Sequence, residues 1–386
     1  MEKKTVRVSK VQSNKKSRLS QWMVSDPFDM SFFVLVMVVL AVGLIMLFSA
    51  SYAYAWYDQR DSFYFIRRQI FFALIGLFVM FVISKLDYQL IKRFAMPIYI
   101  GSIVLLILVL LIGSGDGVEK RWIYVGFNLQ PSEIAKLAVV IMLAIFLSSN
   151  YKYLKDFKRG ILWPLVIIGI PAALILAEPH LSGTILVLIV GVSMMLVAGC
   201  HFGWLGGLSA IAAAGLTVVA TTVPYMKSRI DIFLNPGSDP QGAGYQILQS
   251  LYAIGSGGLT GLGIGQSRQK YLYVSMPQND FIFSIVAEEL GFIGVLIILA
   301  LFVVLIYKGF QIAMRCTDRF GSLLVFGIIT RLAAQVLLNM AVVTNSIPVT
   351  GIALPFFSSG GTAMVMQMAE MGIVLAVSRK SRIMKV

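Results

Sequence analysis

SFFVLVMVVLAVGLIMLFSAS, residues 31 to 51, runs for 21 positions without a charged side chain. At 1.5 Å per residue a helix of that length reaches about 31 Å, the thickness of a bilayer's hydrocarbon core. A helix that is apolar all round has no face to turn to water, so the stretch reads as a membrane span. Nine further apolar runs follow, near 69–86, 95–113, 132–149, 161–178, 182–200, 203–224, 282–307, 320–345 and 359–378. Composition agrees: of 386 residues 58% are hydrophobic and 13% charged, against about 25% charged in a soluble domain. The expected fold is an all-α integral membrane protein of ten transmembrane helices.

Ten spans return the chain to its starting side, and lysine and arginine say which side that is. One face collects 21 of the 32 cations, in the N-terminal tail, in the loops after spans 2, 4 and 8, and in the C-terminal tail. The other holds 9, among them Lys120, Arg121, Arg229, Arg268 and Lys270, while Lys136 and Arg331 lie inside spans. Both termini are therefore expected in the cytoplasm. The net charge of +14 then reflects topology and calls for no nucleic acid. The basic segment 1–29 reads as a cytoplasmic tail without the apolar core of a signal peptide, 30–379 as the membrane domain, and 380–386 as a second cytoplasmic tail. Cys200 and Cys316 are too few for a disulfide framework or a zinc cage, and His180 and His201 cannot make a histidine-based metal centre. Residues 225–281 form a long external, glycine-rich loop between spans 7 and 8, in which YQILQSLYAI (245–254) has the pattern of a short amphipathic helix.

The chemistry-bearing residues gather toward the external side. GLTGLGIGQSRQK (258–270) matches neither G-x-G-x-x-G nor G-x-x-x-x-G-K-[ST], so no nucleotide is expected. In QPSEIAKLA (130–138), Glu133 and Lys136 share a helix face, either as a self-neutralising pair or as the wall of a polar cavity served by Lys120 and Arg121. In YVSMPQNDFIFSIVAEELGF (273–292), Asp280 opens span 8. It suits a helix N-cap, and equally a cavity-mouth carboxylate that acts as general base or holds a divalent cation such as Mg2+ or Mn2+. Glu288 and Glu289 lie two turns deeper, facing that cavity or a structural partner. Arg268 and Lys270 reach either the same rim or lipid headgroups. PVTGIALPFFSSGGTAM (348–364), with Ser358 and Ser359, reads as a re-entrant loop whose backbone N–H groups can hold an anion, or as a close-packing site. Arg331 and Glu370 fall at one depth near the midplane and are expected to form a buried ion pair.

With these residues in view, the chain resembles the SEDS family (shape, elongation, division and sporulation), most closely its FtsW and SpoVE branch, relatives of RodA. The resemblance rests on LFSASYA (47–53), KRWIYVGFNLQPSEIAKLA (120–138), DPQGAGYQILQSLYAIGSGGLTGLGIGQSRQKYLY (239–273), PQNDFIFSIVAEELGFIG (277–294) and NSIPVTGIALPFFSSGG (345–361), in order along the chain. It implies a ten-span peptidoglycan glycosyltransferase in the bacterial cytoplasmic membrane that polymerises lipid II at the outer face, for cell division, cell shape or sporulation. The catalytic aspartate falls on Asp280, with Arg121, Glu133, Lys136 and Lys270 as its companions, and a class B penicillin-binding protein transpeptidase and other divisome or elongation membrane proteins as partners. A lipid II flippase or a non-catalytic scaffold are the rival functions. The chain departs from the family pattern in EPHLSGT (178–184), where Q-P-D-L-G-T is common, and in Asn279, where threonine is usual. Arg331 and Glu370 also stand where apolar residues are expected.

Overall fold

The computed structural model describes residues 27–114, 121–222, 224–239, 242 and 244–381; most of the expected N-terminal tail, residues 382–386 of the C-terminal tail, and Lys120 lie outside them. The described residues are mostly helical. α1 (Met30–Gln59) is capped by the Asp29 carboxylate, which accepts from Phe32 N. α2 (Tyr64–Lys85) and α3 (Gln89–Ile112) follow. A two-residue hairpin, β1 (Ile123–Tyr124) and β2 (Asn128–Leu129), pairs Ile123 with Leu129 and Tyr124 with Asn128. Pro131 opens α4 (Pro131–Ser149), where its missing N–H costs nothing. α5 (Trp163–Ala177), α6 (Leu181–Ala198) and α7 (Phe202–Thr222) come next. Two short helices, α8 (Pro224–Leu234) and α9 (Tyr245–Gly257), precede α10 (Ile282–Arg315), α11 (Arg319–Val343) and α12 (Gly361–Ser381).

Among the described residues nine helices are long and apolar enough to cross a membrane: α1 to α6, α10, α11 and α12. α7 is a further helix of 21 residues, where the seventh span is expected. Burial sorts them. α4, α11 and α12 are the inner helices, with 67%, 61% and 78% of their spanning stretches buried, against 28% or less for α2, α3 and α10. The outer helices expose Phe71, Phe78, Leu111 and Phe292, as lipid-facing surfaces do. The inner ones carry Glu133, Lys136, Arg331 and Glu370, all buried.

Two features differ from the sequence expectation. α8 lies in what reads as loop, because PYMKSRIDIFL mixes charge with apolar residues and gives no long run. α10 is broken: Gly291 has φ 65° and ψ −170°, which a residue with a Cβ rarely adopts. The glycine-rich strand of chain at 258–263 lies against the break. Leu262 N and Gly263 N donate to the carbonyls of Glu288 and Glu289 at 3.0 Å each, and Phe292 N and Ile293 N donate to the carbonyls of Gly258 and Leu259. The backbone groups that the break takes out of the helix are thereby satisfied. A Cβ on Gly261 would stand 2.2 Å from the Glu289 carbonyl oxygen, so glycine is needed for this approach.

Candidate functional site

The irregular segment between α11 and α12 is built inward by amide side chains. Arg331, Gln335 and Asn339 recur every four residues along α11 and so form one stripe. Asn339 Nδ2 donates to the carbonyl of Ile352 and, at 2.8 Å, to that of Asp280; Gln335 Nε2 donates to Ala353 O at 2.9 Å. From α2, Gln69 donates to Ser358 O and accepts from Gly360 N, and from α12 Gln367 Oε1 accepts from Phe356 N. Each bond satisfies a backbone group of the irregular chain around α10 and α12. The segment is therefore a fixed re-entrant wall. Ser358 belongs to it: its hydroxyl donates to Asn279 O and accepts from Leu354 N. Ser359 N donates to Gln278 O.

This wall closes a polar chamber of about 330 Å³, lined among others by Arg121, Glu133, Lys136, His180, Asp280 and Gln335. Ser359 also faces it. Gly351, at φ +70°, is the floor between two of these groups: a Cβ there would lie 3.3 Å from Asp280 Oδ2 and 3.9 Å from Arg121 Nη1. The carboxylate and the guanidinium share the space above this one glycine. The capping position of α10 is taken by Phe281, with no side chain accepting there, so Asp280 is not the helix cap that its sequence position suggests. Arg121 Nη2 donates to Pro179 O, in the turn between α5 and α6, and Ser182 Oγ of the same region donates to Gly351 O at 3.3 Å.

Glu133 and Lys136 meet at 2.6 Å. Glu133 also lies 3.5 Å from Arg331 Nη1, and Arg331 bonds the Glu370 carboxylate. Four charges on three inner helices thus form one chain with no net charge, and its Lys136 and Glu133 end opens into the chamber.

The α5–α6 turn holds two more ionisable groups. Glu178 is fully buried and neither carboxylate oxygen finds a hydrogen-bond partner. Burial pushes it up to about 8, against a smaller opposing pull from Arg121. His180 is held well below the ordinary imidazole range, by burial first and then by Arg121 and Lys136.

Two expected members are elsewhere. Lys270 is fully buried against Glu289, 2.8 Å away, and stands 4.7 Å over the Tyr52 ring. The Glu289 carboxylate also accepts from Ser49 Oγ of α1. Arg268 is exposed and gives its backbone N–H to Glu288 at 2.9 Å. Glu288 also accepts from Ser267 Oγ and Gln269 N. Neither cation lines the chamber, because the two α10 carboxylates draw this loop to themselves. Among the described residues no three histidine, cysteine or acidic side chains gather as a metal group. Around Asp280 the donor set is one carboxylate beside a guanidinium, while Glu133 is committed to Lys136 and Arg331. That is a poor cage for Mg2+ or Mn2+, which take several oxygen ligands. Sequence reading passes over Gln69, Gln335, Asn339 and Gln367. Their signal is an amide inside an apolar run, most visible in the four-residue spacing from Arg331.

The family model described as "Cell cycle protein", covering FtsW, RodA and SpoVE, matches residues 29–383. Stage V sporulation protein E of Bacillus subtilis (strain 168) is 44% identical over 359 residues, 92% of this chain and 98% of that protein. A protein of Geobacter sp. (strain M18) named "Probable peptidoglycan glycosyltransferase FtsW" is 37% identical over 92% of this chain and 98% of its own length. Among solved structures, a chain from work titled "Structural coordination of polymerization and crosslinking by a peptidoglycan synthase complex" matches with a TM-score of 0.77 at 30% identity, covering 92% of this chain and 98% of that one. The rod shape determining protein RodA of Thermus thermophilus matches with a TM-score of 0.67 at 28% identity, over the same shares.

Proposed function

The chain belongs to the FtsW, RodA and SpoVE family, and from that premise we propose that it is a peptidoglycan glycosyltransferase, polymerising lipid II with Asp280 as its base. The observation that carries this reading is the meeting of Asp280 and Arg121 above Gly351 inside the polar chamber. Asp280 takes the proton of the acceptor sugar's 4-hydroxyl, and the oxygen attacks the anomeric carbon of the donor. The bond to the lipid diphosphate breaks, and the departing diphosphate keeps the electron pair. A diphosphate needs no protonating acid, so one carboxylate suffices where glycosidases pair two. Arg121 and Lys136 oppose its charge as it develops. A single displacement inverts the donor's anomeric centre.

An apolar groove of about 920 Å³ adjoins the chamber between α2, the hairpin, α4 and α12, with Arg68 among its lining. It suits the polyprenyl chain of such a substrate, with the diphosphate toward the chamber. Counting α7 as a crossing gives ten spans, cytoplasmic termini by the distribution of lysine and arginine, and a chamber on the extracytoplasmic side of the cytoplasmic membrane. The names of the relatives support a role in cell division or sporulation, and the likeness to a chain of a peptidoglycan synthase complex supports a partner transpeptidase, a class B penicillin-binding protein. Purified protein given lipid II tests the reading. Polymer from wild type and none from Asp280→Asn supports it; lipid scrambling without polymer supports a flippase; neither activity, with or without the transpeptidase, supports a scaffold.

A further inference from the structure

The EPH turn, Glu178 to His180, is unlike the rest of the chamber wall. The other charged groups there are bound to one another or meet across Gly351. His180 is buried, lines the chamber, and leaves Nδ1 sealed from solvent without a hydrogen-bond partner. The ring lies against the first turn of α6: a Cβ on Gly183 would be 3.0 Å from Nδ1 and 3.1 Å from Cε1. Gly183 therefore makes the room that the imidazole occupies.

The tautomer follows from that position. His180 sits at the N-cap of α6, where unsatisfied backbone N–H groups and the positive end of the helix dipole favour a lone pair. Nδ1 is sealed against that turn without a hydrogen-bond partner, and there a lone pair suits the helix dipole better than an N–H, so the ring proton belongs on Nε2, the nitrogen that is not sealed. Burial first, and then the flanking cations Arg121 and Lys136, favour the neutral ring.

We propose that His180 is a further substrate-contacting residue: a neutral imidazole whose Nε2–H donates to a phosphate oxygen of the lipid-linked diphosphate, beside the charges of Arg121 and Lys136. The inference rests on the chamber being the diphosphate site. A neutral donor serves there because a third fixed cation would hold the departing diphosphate back, whereas a hydrogen bond orients one oxygen with little added charge. Glu178 fits the same logic. Buried without a hydrogen-bond partner and favoured in its protonated form, it adds no negative charge against the ligand.

The test measures binding of a short-chain polyprenyl diphosphate to the full chain in detergent, with lipid II polymerisation as a separate readout. Four proteins are compared: wild type, His180→Gln, which keeps a neutral N–H donor, His180→Ala, and His180→Leu, which fills the ring's volume without a donor. Loss of one hydrogen bond to a charged phosphate should weaken binding by about tenfold or more in the Ala and Leu variants. Gln should stay within about threefold of wild type, and KM for lipid II should move more than kcat. If Ala fails to fold, the contrast of Leu with Gln decides. Equal binding by wild type and Leu, equal loss in Gln and Leu, or no binding of the diphosphate by wild type would each overturn the proposal. The base assignment is judged independently: Asp280→Asn should still bind the diphosphate while losing polymerisation, so failure of one reading is separable from failure of the other.

Discussion

Two buried clusters in this molecule use the same ingredients and arrive at opposite ends. In one, Glu133, Lys136, Arg331 and Glu370 join α4, α11 and α12, and the Glu133 and Lys136 end opens into a polar chamber. In the other, Lys270 and Glu289, with Ser49 and Tyr52 of α1 around them, are sealed from solvent and hold the 258–270 loop against α10. Each centres on a buried lysine held against a carboxylate. What separates them is the neighbouring backbone. The re-entrant segment before α12 turns its polar atoms to α11 and leaves space, whereas the 258–263 strand fills the break at Gly291 and leaves none. On the proposed function, chemistry belongs to the first cluster and cohesion to the second.

The comparison breaks most visibly at the carboxylates. Asp280→Asn should lower polymerisation by about 10²- to 10⁴-fold, the usual contribution of a general base. Its melting temperature in detergent should stay close to wild type, because Asp280 caps no helix. Glu289→Gln should behave in reverse, with a lowered melting temperature and turnover reduced only in proportion to folded protein. Polymer yield and melting curves on the same preparations check both. A Glu289→Gln protein that melts normally but is inactive would move the sealed cluster into the active site.

Stranding a cation's partner comes next. Lys270→Met leaves Glu289 buried without its counter-charge, a loss of about 3–5 kcal/mol where a buried pair is broken one-sidedly. Lys136→Met should cost less stability, since Glu133 keeps Arg331 at 3.5 Å, and should harm lipid II use more. Lys92→Ala and Lys155→Ala, on the opposite face of the proposed topology, should change neither. Equal melting losses for Lys270→Met and Lys136→Met would erase the distinction between a sealed and an open cluster.

The inner network can be sharpened by a double-mutant cycle on Arg331 and Glu370. Arg331→Met removes the partner of Glu370 and one of two partners of Glu133, so it should destabilise more than Glu370→Ala, which leaves Arg331 a carboxylate. The double substitution should recover much of the loss, as apolar replacement of a buried pair often does. Additive losses, read as melting temperatures, would mean that the contact carries no coupling energy.

How much of this the sequence discloses depends on whether local spacing or tertiary contact sets the feature. Spans are legible because bilayer thickness imposes a length on apolar runs. The pairing of Glu133 with Lys136 is legible because three residues bring two side chains to one face of a helix, and that of Arg331 with Glu370 because depth can be counted in residues. Lys270 looks like a rim cation, since nothing local says that a break at Gly291 bends α10 to receive its loop. Asp280 looks like a cap because aspartate before an apolar run is the usual signal of one, yet the chain enters α10 one residue later, at Phe281. Gln69, Gln335, Asn339 and Gln367 are silent for a similar reason: their partners are backbone atoms of a segment with no periodicity to betray it.

Glu178 tests whether the chamber's edge is dry. Its carboxyl is fully buried without a hydrogen-bond partner and is raised from 4.5 to about 8. Between those values the folded chain holds one more proton than the unfolded one. Stability should therefore fall as pH rises from about 4.5 to about 8, with a slope of at most about 1.4 kcal/mol per pH unit. Below the window both states are protonated and above it both are ionised, so the contribution flattens at either end. Glu178→Gln keeps shape and removes the titration; its melting temperature should lose this part of the pH dependence, and at pH 7 should equal or exceed that of wild type. The same substitution applied to Glu289 should lower stability at pH 7, because that side chain is paired with Lys270 at 2.8 Å. Identical pH profiles for wild type and Glu178→Gln would mean that water or a ligand group reaches the turn. In that case an ionised Glu178 would set a negative charge near the proposed diphosphate site.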